Sequence, residues 1–362
     1  MANVCAVIMA GGVGTRFWPR SREKTPKQLL EILDKGSMLQ HTVRRLEGFA
    51  SPAETFVVTN RTQRALVEKQ LPGVPEENVI VEPMGRNTAA CIGLAALHAR
   101  RVDESAVMVV LPADHLIENV EEFRRVLGLA VEIADQSRSL LTIGIHPTHP
   151  ETGYGYIQMF DEAGEHNPYF DRGVYRVKTF AEKPNLQTAE RFMQSGDFLW
   201  NSGMFVWRVD TILEEINRCL PELSRELNNI NDALGTPSYQ AALELAYGMM
   251  RGISIDYGVM ERSDRVFVIP AKFGWSDIGS WDEVYRRSGK DEHGNSVTGR
   301  LVQRDTAGCY VFSPDKVVAT IGVSDLIIIN TDDALLVCKR GKSQEVKDVA
   351  DYLRRKQMDE YL

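Results

Sequence analysis

A glycine-rich loop follows the first apolar segment of the chain. The run VCAVIM (4–9) leads directly into GGVGTRFWPRSREKTPKQ (11–28), which combines glycines with basic residues. Glycines let backbone N–H groups approach phosphate oxygens closely, and basic side chains add charge that a simple turn does not need. The loop therefore indicates a polyphosphate site. Its candidate contacts are Gly11, Gly12, Gly14, Arg16 and Lys27.

Two better-known phosphate loops do not fit this segment. The dinucleotide pattern G-x-G-x-x-G would need glycine at Phe17, and the P-loop pattern has no match in 11–28. Asp34 lies roughly twenty residues further on, as a ribose-binding acid would. However, it falls in the turn-like stretch 33–36 and not at a strand end. A nicotinamide-dependent oxidoreductase is therefore disfavoured.

Two aspartates are candidates for holding a metal ion. Asp114 occurs in LPADH (111–115), and Asp277 occurs in GWSDIGSW (274–281). Mg²⁺ typically takes one or two carboxylates together with substrate phosphate oxygens and water. An isolated aspartate is more often a helix cap or a solvated turn residue, so the metal prediction depends on the phosphate loop beside it. His115 is interpreted as structural.

The elements that must position these residues alternate between strands and helices. Five unbroken apolar runs, typical of buried parallel strands, occur at 4–9, 55–59, 78–82, 106–111 and 139–145. Helical segments lie between them at 37–48, 61–70, 88–101 and 119–135. This order predicts an α/β fold with a doubly wound, mixed but mostly parallel sheet. Ligands bind beyond the carboxyl ends of such strands, so the loop and Asp114 should face one crevice.

The second part of the chain is less regular. Hairpin-like pieces at 152–160 and 174–184 precede helices near 186–195 and 209–219. A polar, glycine-containing stretch at 288–299 resembles a linker. After it come short β-type runs at 309–312, 317–323, 326–329 and 334–338 and an amphipathic helix over 343–356. We predict a catalytic domain over 1–290 and a small β-rich domain over 291–362.

Composition narrows the class of protein. With 362 residues, 43% hydrophobic and 25% charged, the chain is an ordinary globular protein. Its net charge of −8 argues against general nucleic-acid binding but allows a local phosphate site. Cysteine spacing indicates neither zinc nor disulfides, and no membrane or export segment is expected, so a cytoplasmic location is predicted. The cysteines are Cys5, Cys91, Cys219, Cys309 and Cys338.

Eight ordered motifs resemble one enzyme family. They are the loop 11–28, EPMGRNTAAC (82–91), LPADH, TGYGYI (152–157), FAEKP (180–184), WNSGMF (200–205), SIDYGVME (254–261) and GWSDIGSW. Together they resemble the mannose-1-phosphate guanylyltransferases. The G-G-x-G-T-R loop, the later P-K pair and E-K-P are shared by the wider sugar-nucleotidyltransferase superfamily. The forms FWPRSR, RNTAA, WNSGMF and SIDYGVME are specific to the mannose enzymes.

The resemblance implies an activity and a cofactor. Such an enzyme transfers GMP from GTP to mannose 1-phosphate, with Mg²⁺, and releases GDP-mannose and pyrophosphate after in-line attack on the α-phosphorus. Two alternatives stay open: a sugar-nucleotidyltransferase for another NTP and hexose 1-phosphate, and a non-catalytic nucleotide-sugar-binding regulatory subunit. The second alternative is disfavoured because the basic and acidic candidates are all present.

The resemblance also implies residue roles. Catalytic roles fall to Arg16, Lys27, Asp114 and Asp277, and the two aspartates hold the metal. Nucleotide contacts fall to Gly11, Gly12, Gly14, Thr15, Arg86, Asn87 and Thr88. Sugar-phosphate contacts fall to Gly153, Glu182, Lys183 and Asn201.

For the C-terminal domain, the resemblance implies a short left-handed β-helix used in association, so a homodimer is expected. Longer family members add a phosphomannose isomerase domain of the cupin type. Isomerase activity is not expected for this chain, which is interpreted as the monofunctional form.

Overall fold

The computed structural model describes residues 3–12, 14–160 and 167–362. Its strands are β1 (Val4–Met9), β2 (Thr55–Asn60), β3 (Val79–Glu82), β4 (Val107–Pro112), β5 (Leu116–Ile117), β6 (Leu140–Ile145), β7 (Tyr156–Phe160), β8 (Tyr175–Ala181), β9 (Phe198–Arg208), β10 (Val266–Ala271), β11 (Trp275–Ser276), β12 (Ser296–Ala307), β13 (Tyr310–Ser324), β14 (Leu326–Asn330) and β15 (Leu335–Lys339). Its helices are α1 (Met38–Arg44), α2 (Arg64–Gln70), α3 (Asn87–Val102), α4 (Val120–Ser137), α5 (Leu186–Ser195), α6 (Val209–Cys219), α7 (Pro221–Ala233), α8 (Tyr239–Met249), α9 (Trp281–Arg287) and α10 (Val346–Arg355).

Within the described residues, nine strands form one mixed sheet in the order β3-β2-β1-β4-β9-β6-β10-β8-β7. The pairs among β3, β2, β1 and β4 are parallel, and so is the pair of β6 with β10. Strand β9 runs antiparallel between β4 and β6, and β7 and β8 form an antiparallel hairpin at the far edge. The predicted α/β class with a doubly wound mixed sheet is confirmed, and the five predicted strands are β1, β2, β3, β4 and β6.

Helices cover both faces of this sheet because its central strands are apolar on both sides. In β4, Val107, Val109 and Leu111 pack into a core that α2 and α4 cover. Met108 and Val110 point the other way, into a core made with α3, α6, α7 and α8. Helices α7 and α8 were not predicted from the sequence. No helix among the described residues is both long enough and apolar enough to cross a membrane.

A second sheet of four strands, counted over the same described ranges, follows in the order β12-β13-β14-β15. Neighbours β12/β13 and β13/β14 are parallel, as stacked turns of a β-helix are, and β14/β15 is antiparallel. The linker prediction for 288–299 is wrong at its end, because β12 begins at Ser296. Gly299 marks a bulge there: its φ is +108°, and a Cβ would stand 1.8 Å from the carbonyl oxygen of Ser313.

The C-terminal sheet packs on the segments that carry the predicted site. Phe17 and Trp18, from the glycine-rich loop, share a buried cluster with residues of β13, β14 and α10. The indole Nε1 of Trp18 donates to the carbonyl of Tyr361 at 2.8 Å, and Trp281 stacks on Tyr310. The small domain therefore braces the loop and the segment that follows Asp277.

Candidate active site

A cavity of about 500 Å³ opens at the carboxyl-end edge of the large sheet. Strand β1 delivers Gly11 and Gly12 to its wall, and β3 delivers Glu82. Helix α3 begins beside them and contributes Asn87 and Thr88. The remaining wall residues that matter here are His115, Gly153, Tyr154, Gly155, Glu182, Asn201, Asp256, Trp275 and Asp277. Several distant motifs of the sequence therefore meet at one crevice, as an open α/β sheet predicts.

Lys27 is a buried cation that joins the two predicted metal-binding segments. Its side chain is 6% exposed, and its Nζ donates to Asp114 Oδ2 at 2.8 Å and to the carbonyl oxygen of Asp277 at 2.5 Å. The next residue, Gln28, fixes the loop, because its amide donates to the carbonyls of Ala10 and Gly12 at 2.8 Å each. The loop and both aspartates are thus held in one arrangement.

The charge of Lys27 controls the ionisation of Asp114. Burial alone would favour the neutral acid, but the ammonium of Lys27, helped by His115, offsets this and leaves the pKa of Asp114 below its usual value. The carboxylate is therefore ionised at neutral pH.

Tyr154 orients the other aspartate. Its hydroxyl donates to Asp277 Oδ1 at 2.6 Å, and its ring packs edge-on against Trp200 and Trp275 at 5.2 Å each. Burial, and then the negative charge of Asp277, raise the pKa of Tyr154 well above its ordinary value. The hydroxyl therefore stays protonated and remains a donor.

The two carboxylates suit a magnesium ion that also uses substrate oxygens. Lys27 donates to Asp114 Oδ2 and Tyr154 donates to Asp277 Oδ1, while the other Asp114 oxygen lies 3.8 Å from His115 Nε2. Over the described ranges, no group of three or more His, Cys, Asp or Glu side chains comes together as a metal site. Two carboxylates without further protein ligands are typical of a divalent metal ion bound together with phosphate and water.

Removing the Tyr154 hydroxyl tests this orientation. In Tyr154→Phe we expect the Mg²⁺ concentration for half-maximal rate to rise about tenfold, because residues that orient metal ligands typically contribute roughly 10–100-fold in affinity or activity. The measurement is a Mg²⁺ titration of the initial rate. Tyr352→Phe, on the exposed side of α10, is the matched control. An unchanged Mg²⁺ midpoint in Tyr154→Phe would show that Asp277 needs no orientation by this hydroxyl.

Glu82 is a wall residue whose role the sequence did not reveal. It ends β3, is 7% exposed, and its Oε1 accepts a 3.1 Å hydrogen bond from the hydroxyl of Tyr247. Burial raises the pKa of Glu82 to about 7, although the Tyr247 hydroxyl opposes the shift. An acid at the carboxyl end of a buried strand was the available signal, because the EPMGRNTAAC motif begins with it.

Acidic and amide side chains also gather in the cavity wall. Asn201 Nδ2 donates to Asp256 Oδ1 at 2.6 Å, and Asp256 starts a single turn of π-helix over Asp256–Met260. Glu182 approaches Gly155 so closely that a Cβ there would stand 2.3 Å from Glu182 Oε2. Burial, with a contribution from Glu182, raises the pKa of Asp256. Asp256 was also not predicted, although its motif was recognised.

The structure separates the predicted residues into groups. Those in the cavity wall are Gly11, Gly12, Asn87, Thr88, Gly153, Glu182, Asn201 and Asp277. Lys27 and Asp114 form an ion pair with each other next to these wall residues. Gly14 packs on Lys27. The φ of Gly14 is +60°, and a Cβ added to it would lie 2.6 Å from the Cβ of Lys27. Thr15 begins a short 3₁₀ turn over Thr15–Phe17.

Three predicted residues lie outside the wall of this cavity. The guanidinium of Arg86 donates to the carbonyls of Tyr247 (2.7 Å) and Gly248 (3.2 Å) near the end of α8. Lys183 is 62% exposed and pairs with Glu182 at 2.5 Å. Arg16 is exposed and lines an adjoining cavity of about 860 Å³. That second cavity shares Gly153, Tyr154, Trp275 and Asp277 with the first as a common wall.

Known proteins resemble this chain over nearly all of its length. The nucleotidyl transferase family model matches residues 5–294, and the MannoseP isomerase/GMP-like beta-helix domain model matches 299–353. A mannose-1-phosphate guanylyltransferase of Klebsiella pneumoniae is 40% identical over 362 residues, which cover 98% of this chain and 75% of the relative. One of Escherichia coli has the same identity and coverage.

A solved structure has the same architecture. It is described as mannose-1-phosphate geranyltransferase from Thermus thermophilus, with 34% sequence identity and a TM-score of 0.86, and the match covers 97% of this chain and 99% of that one. The second family model also confirms the predicted C-terminal β-helix. The motifs, the fold and the relatives agree, and this chain belongs to the mannose-1-phosphate guanylyltransferase family of nucleotidyl transferases.

Proposed function

We propose that this chain transfers GMP from GTP to mannose 1-phosphate and releases GDP-mannose and pyrophosphate. The observation that carries the proposal is the buried Lys27 of the glycine-rich loop, which joins Asp114 to the Asp277 segment. Positive charge beside two carboxylates supports a site at which a nucleoside triphosphate meets a sugar phosphate. The related guanylyltransferases support the choice of both substrates.

The guanine base is assigned to the end of the cavity that holds Glu82. Guanine presents two adjacent donors, N1–H and the 2-amino group, and a carboxylate is an acceptor for both. Uracil and thymine present a single ring N–H, and adenine has no N1–H. Glu82 therefore favours guanine over the other bases, while the nearby Gly11 and Gly12 leave room for the phosphates.

The mannose ring is assigned to the end that holds Asn201, Asp256 and Glu182. Their oxygens and amide are hydrogen-bonding partners for hydroxyl groups. Lys183, paired with Glu182 at the rim, is available to meet the sugar phosphate once Glu182 turns to the sugar.

The reaction needs positioning and charge neutralisation and no nucleophilic side chain. A phosphate oxygen of mannose 1-phosphate attacks the α-phosphorus of GTP, the bond to the bridging oxygen breaks, and pyrophosphate leaves. Lys27 stabilises the charge that grows on the phosphoryl oxygens, and Arg16, in the adjoining cavity, meets the leaving pyrophosphate. Mg²⁺ bound by Asp114 and Asp277 would screen the two anionic substrates from each other. Tyr154 keeps Asp277 turned toward the reacting phosphates.

A base-specificity test follows from Glu82. In Glu82→Gln we expect kcat/KM for GTP to fall about 10²-fold. The amide has only one acceptor oxygen, and its NH₂ group is a donor that would face the guanine amino group, which is also a donor. The rate with dTTP should change far less. Glu77→Gln, exposed just before β3, is the control. Equal losses for GTP and dTTP would remove Glu82 from base recognition.

The raised pKa of Glu82 gives a second, independent readout. Only the ionised carboxylate accepts both guanine donors, and with a pKa of about 7 the ionised fraction rises with pH through neutrality. Guanosine, which carries no titrating phosphate, should therefore bind about tenfold more tightly at about pH 8 than at about pH 6. The measurement is the guanosine Kd by calorimetry across this range. The dependence should disappear in Glu82→Gln; tighter binding at the lower pH in the wild-type chain would contradict the assignment.

A substrate panel tests the proposed pair directly. GTP, ATP, UTP and dTTP are each offered with mannose 1-phosphate and with glucose 1-phosphate at equal concentration. The proposal expects the highest kcat/KM for GTP with mannose 1-phosphate. Faster turnover of UTP or dTTP with glucose 1-phosphate would assign the chain to another sugar-nucleotidyltransferase activity.

A homodimer formed through the small domain is part of the proposal. Val302, Val317 and Ile321 are 62%, 59% and 72% exposed on neighbouring parts of β12 and β13, which is an unusual amount of apolar surface for one small sheet. Truncation at residue 291 would be a poor test, because the domain also braces Trp18 and Trp281. The double variant Val302→Asp/Ile321→Asp should instead elute as a monomer in gel filtration, and an unchanged elution volume would exclude this face.

The domain limits of 1–290 and 291–362 and the cytoplasmic location also remain proposals. The first is supported by the start of β12 at Ser296 and by family matches that end at 294 and resume at 299.

A further inference from the structure

A separate cavity of about 230 Å³ lies behind the active site, between α1 and the start of α4. His115 belongs to the walls of both this cavity and the active-site cavity. The active-site residues discussed above do not otherwise form its lining. We call it the α1 cavity; most of its surface is apolar and comes from Ile32, Leu33, Met38, Leu116, Ile117 and Val120.

One wall of the α1 cavity carries a buried arginine without an acidic partner. Arg45 is 8% exposed, and its guanidinium makes one hydrogen bond within the described part of the chain, from Nη2 to the carbonyl of His115 at 2.6 Å. Burial lowers the pKa of Arg45 to about 10, and the group stays charged at neutral pH. A buried cation without a carboxylate is costly, which makes Arg45 a ready partner for an anion.

Two further nitrogen-bearing side chains, Arg44 and His41, line the same cavity. Arg44 Nη1 and His41 Nε2 lie 3.4 and 3.6 Å from the point where a Cβ of Gly36 would stand, and Gln40 Oε1 lies 3.3 Å from it. His41 Nε2 is buried and has no hydrogen-bond partner among the described residues. Asp34 is the acidic residue in this lining, so the two arginines leave a net positive charge.

We propose that the α1 cavity is a second ligand site, for a small organic anion with an apolar body. Its carboxylate or phosphate group would be bound by Arg44, Arg45 and His41, and its apolar body would lie against Leu33, Ile117 and Val120. A guanidinium fork suits either kind of oxyanion, and an inorganic ion alone would leave the apolar wall unused.

The test is calorimetric titration of the full chain with phenyl phosphate, benzoate and inorganic phosphate. Phenyl phosphate or benzoate should bind with one site per chain, at least tenfold more tightly than inorganic phosphate. That ratio is on the order of what burial of a phenyl group contributes. Absence of binding by both organic anions, or equal affinity for inorganic phosphate, would overturn the proposal.

Variants locate the binding. Arg44→Glu reverses an exposed charge at the anion end, and Val120→Trp fills the apolar end at the first residue of α4. Each should weaken binding by about tenfold or more, while Arg64→Ala, an exposed arginine on α2, should not.

The active site also binds phosphates, so Lys27→Met serves as a further control. Binding at the α1 cavity should survive this substitution. If Lys27→Met abolishes binding and both Arg44→Glu and Val120→Trp retain it, the probe occupies the active site and the proposal fails. That result would leave the proposed transferase function intact.

Discussion

Replacing Lys27 with methionine is expected to lower kcat/KM for GMP transfer by about 10³-fold, the loss associated with removing one donor to developing oxyanion charge. Methionine keeps much of the side-chain length but removes the charge that joins Asp114 to the Asp277 carbonyl. Arginine should not restore the rate, because Lys27 is 5% exposed and its Nζ already contacts Asp114 and the Asp277 carbonyl, so a longer guanidinium would displace these partners. Initial rates at saturating Mg²⁺ measure the effect.

The control for this experiment is Lys24→Met, in the same loop but exposed. Thermal unfolding of both variants should show whether the loop remains folded. A Lys27→Met protein that is folded and turns over at near wild-type rate would remove Lys27 from the catalytic group.

Asp114→Asn is the second substitution with a large expected effect. The amide keeps the shape of the side chain but cannot supply an anionic oxygen to Mg²⁺, and it also ends the ion pair with Lys27. We expect turnover at ordinary Mg²⁺ concentrations to fall about 10³-fold, since a bound metal ion contributes several kcal/mol to such reactions. The measurement is the initial rate as a function of Mg²⁺ concentration.

Unfolding measured without Mg²⁺ separates the metal role from a structural one. Asp114→Asn leaves the buried Lys27 ammonium without its carboxylate partner, so some stability should be lost even in the absence of the metal. Asp348→Asn, exposed on α10, is the matched control. A wild-type Mg²⁺ dependence in Asp114→Asn would mean that the ion is held elsewhere.

Strands β1, β2, β3, β4 and β6 were predictable because they are unbroken apolar runs that are largely buried on both faces. Strand β10, which lies between β6 and β8, was not predicted. Strand β12 was missed because it is largely exposed and Gly299 resembles a linker residue, although the glycine is required by a close approach to Ser313. A local pattern cannot distinguish a bulge in a β-helix from a flexible connection.

The position of a site residue could be predicted where a motif determines the path of the backbone. The hydrogen-bond partner of its side chain could not be predicted. Lys27 and Asp114 were both site candidates, and in the structure they form an ion pair that was not predicted. Arg86 follows Gly85 at the cavity but extends to the carbonyls at the end of α8, a helix that the sequence analysis did not identify. Tyr154 belongs to a recognised motif, and its bond to Asp277 spans 123 residues, which no local pattern records.

Strand β9 carries three large aromatic side chains, Trp200, Phe205 and Trp207. Phe205 and Trp207 do share one buried core, but Trp200 packs in the core on the opposite face. The pairing register of β9 with β6 shifts between Thr142 and Gly144, and Gly203 has a φ of +68°. Trp200 lies five residues before Phe205, so strand alternation itself places the two side chains on opposite faces.

The most direct test of the proposed function is pyrophosphate release by the purified chain with GTP, mannose 1-phosphate and Mg²⁺, with each component omitted in turn. We predict release that requires all three, with GDP-mannose formed in equal amount. A folded protein that releases no pyrophosphate with any nucleoside triphosphate and hexose 1-phosphate pair would contradict the account and favour a nucleotide-sugar-binding regulatory role.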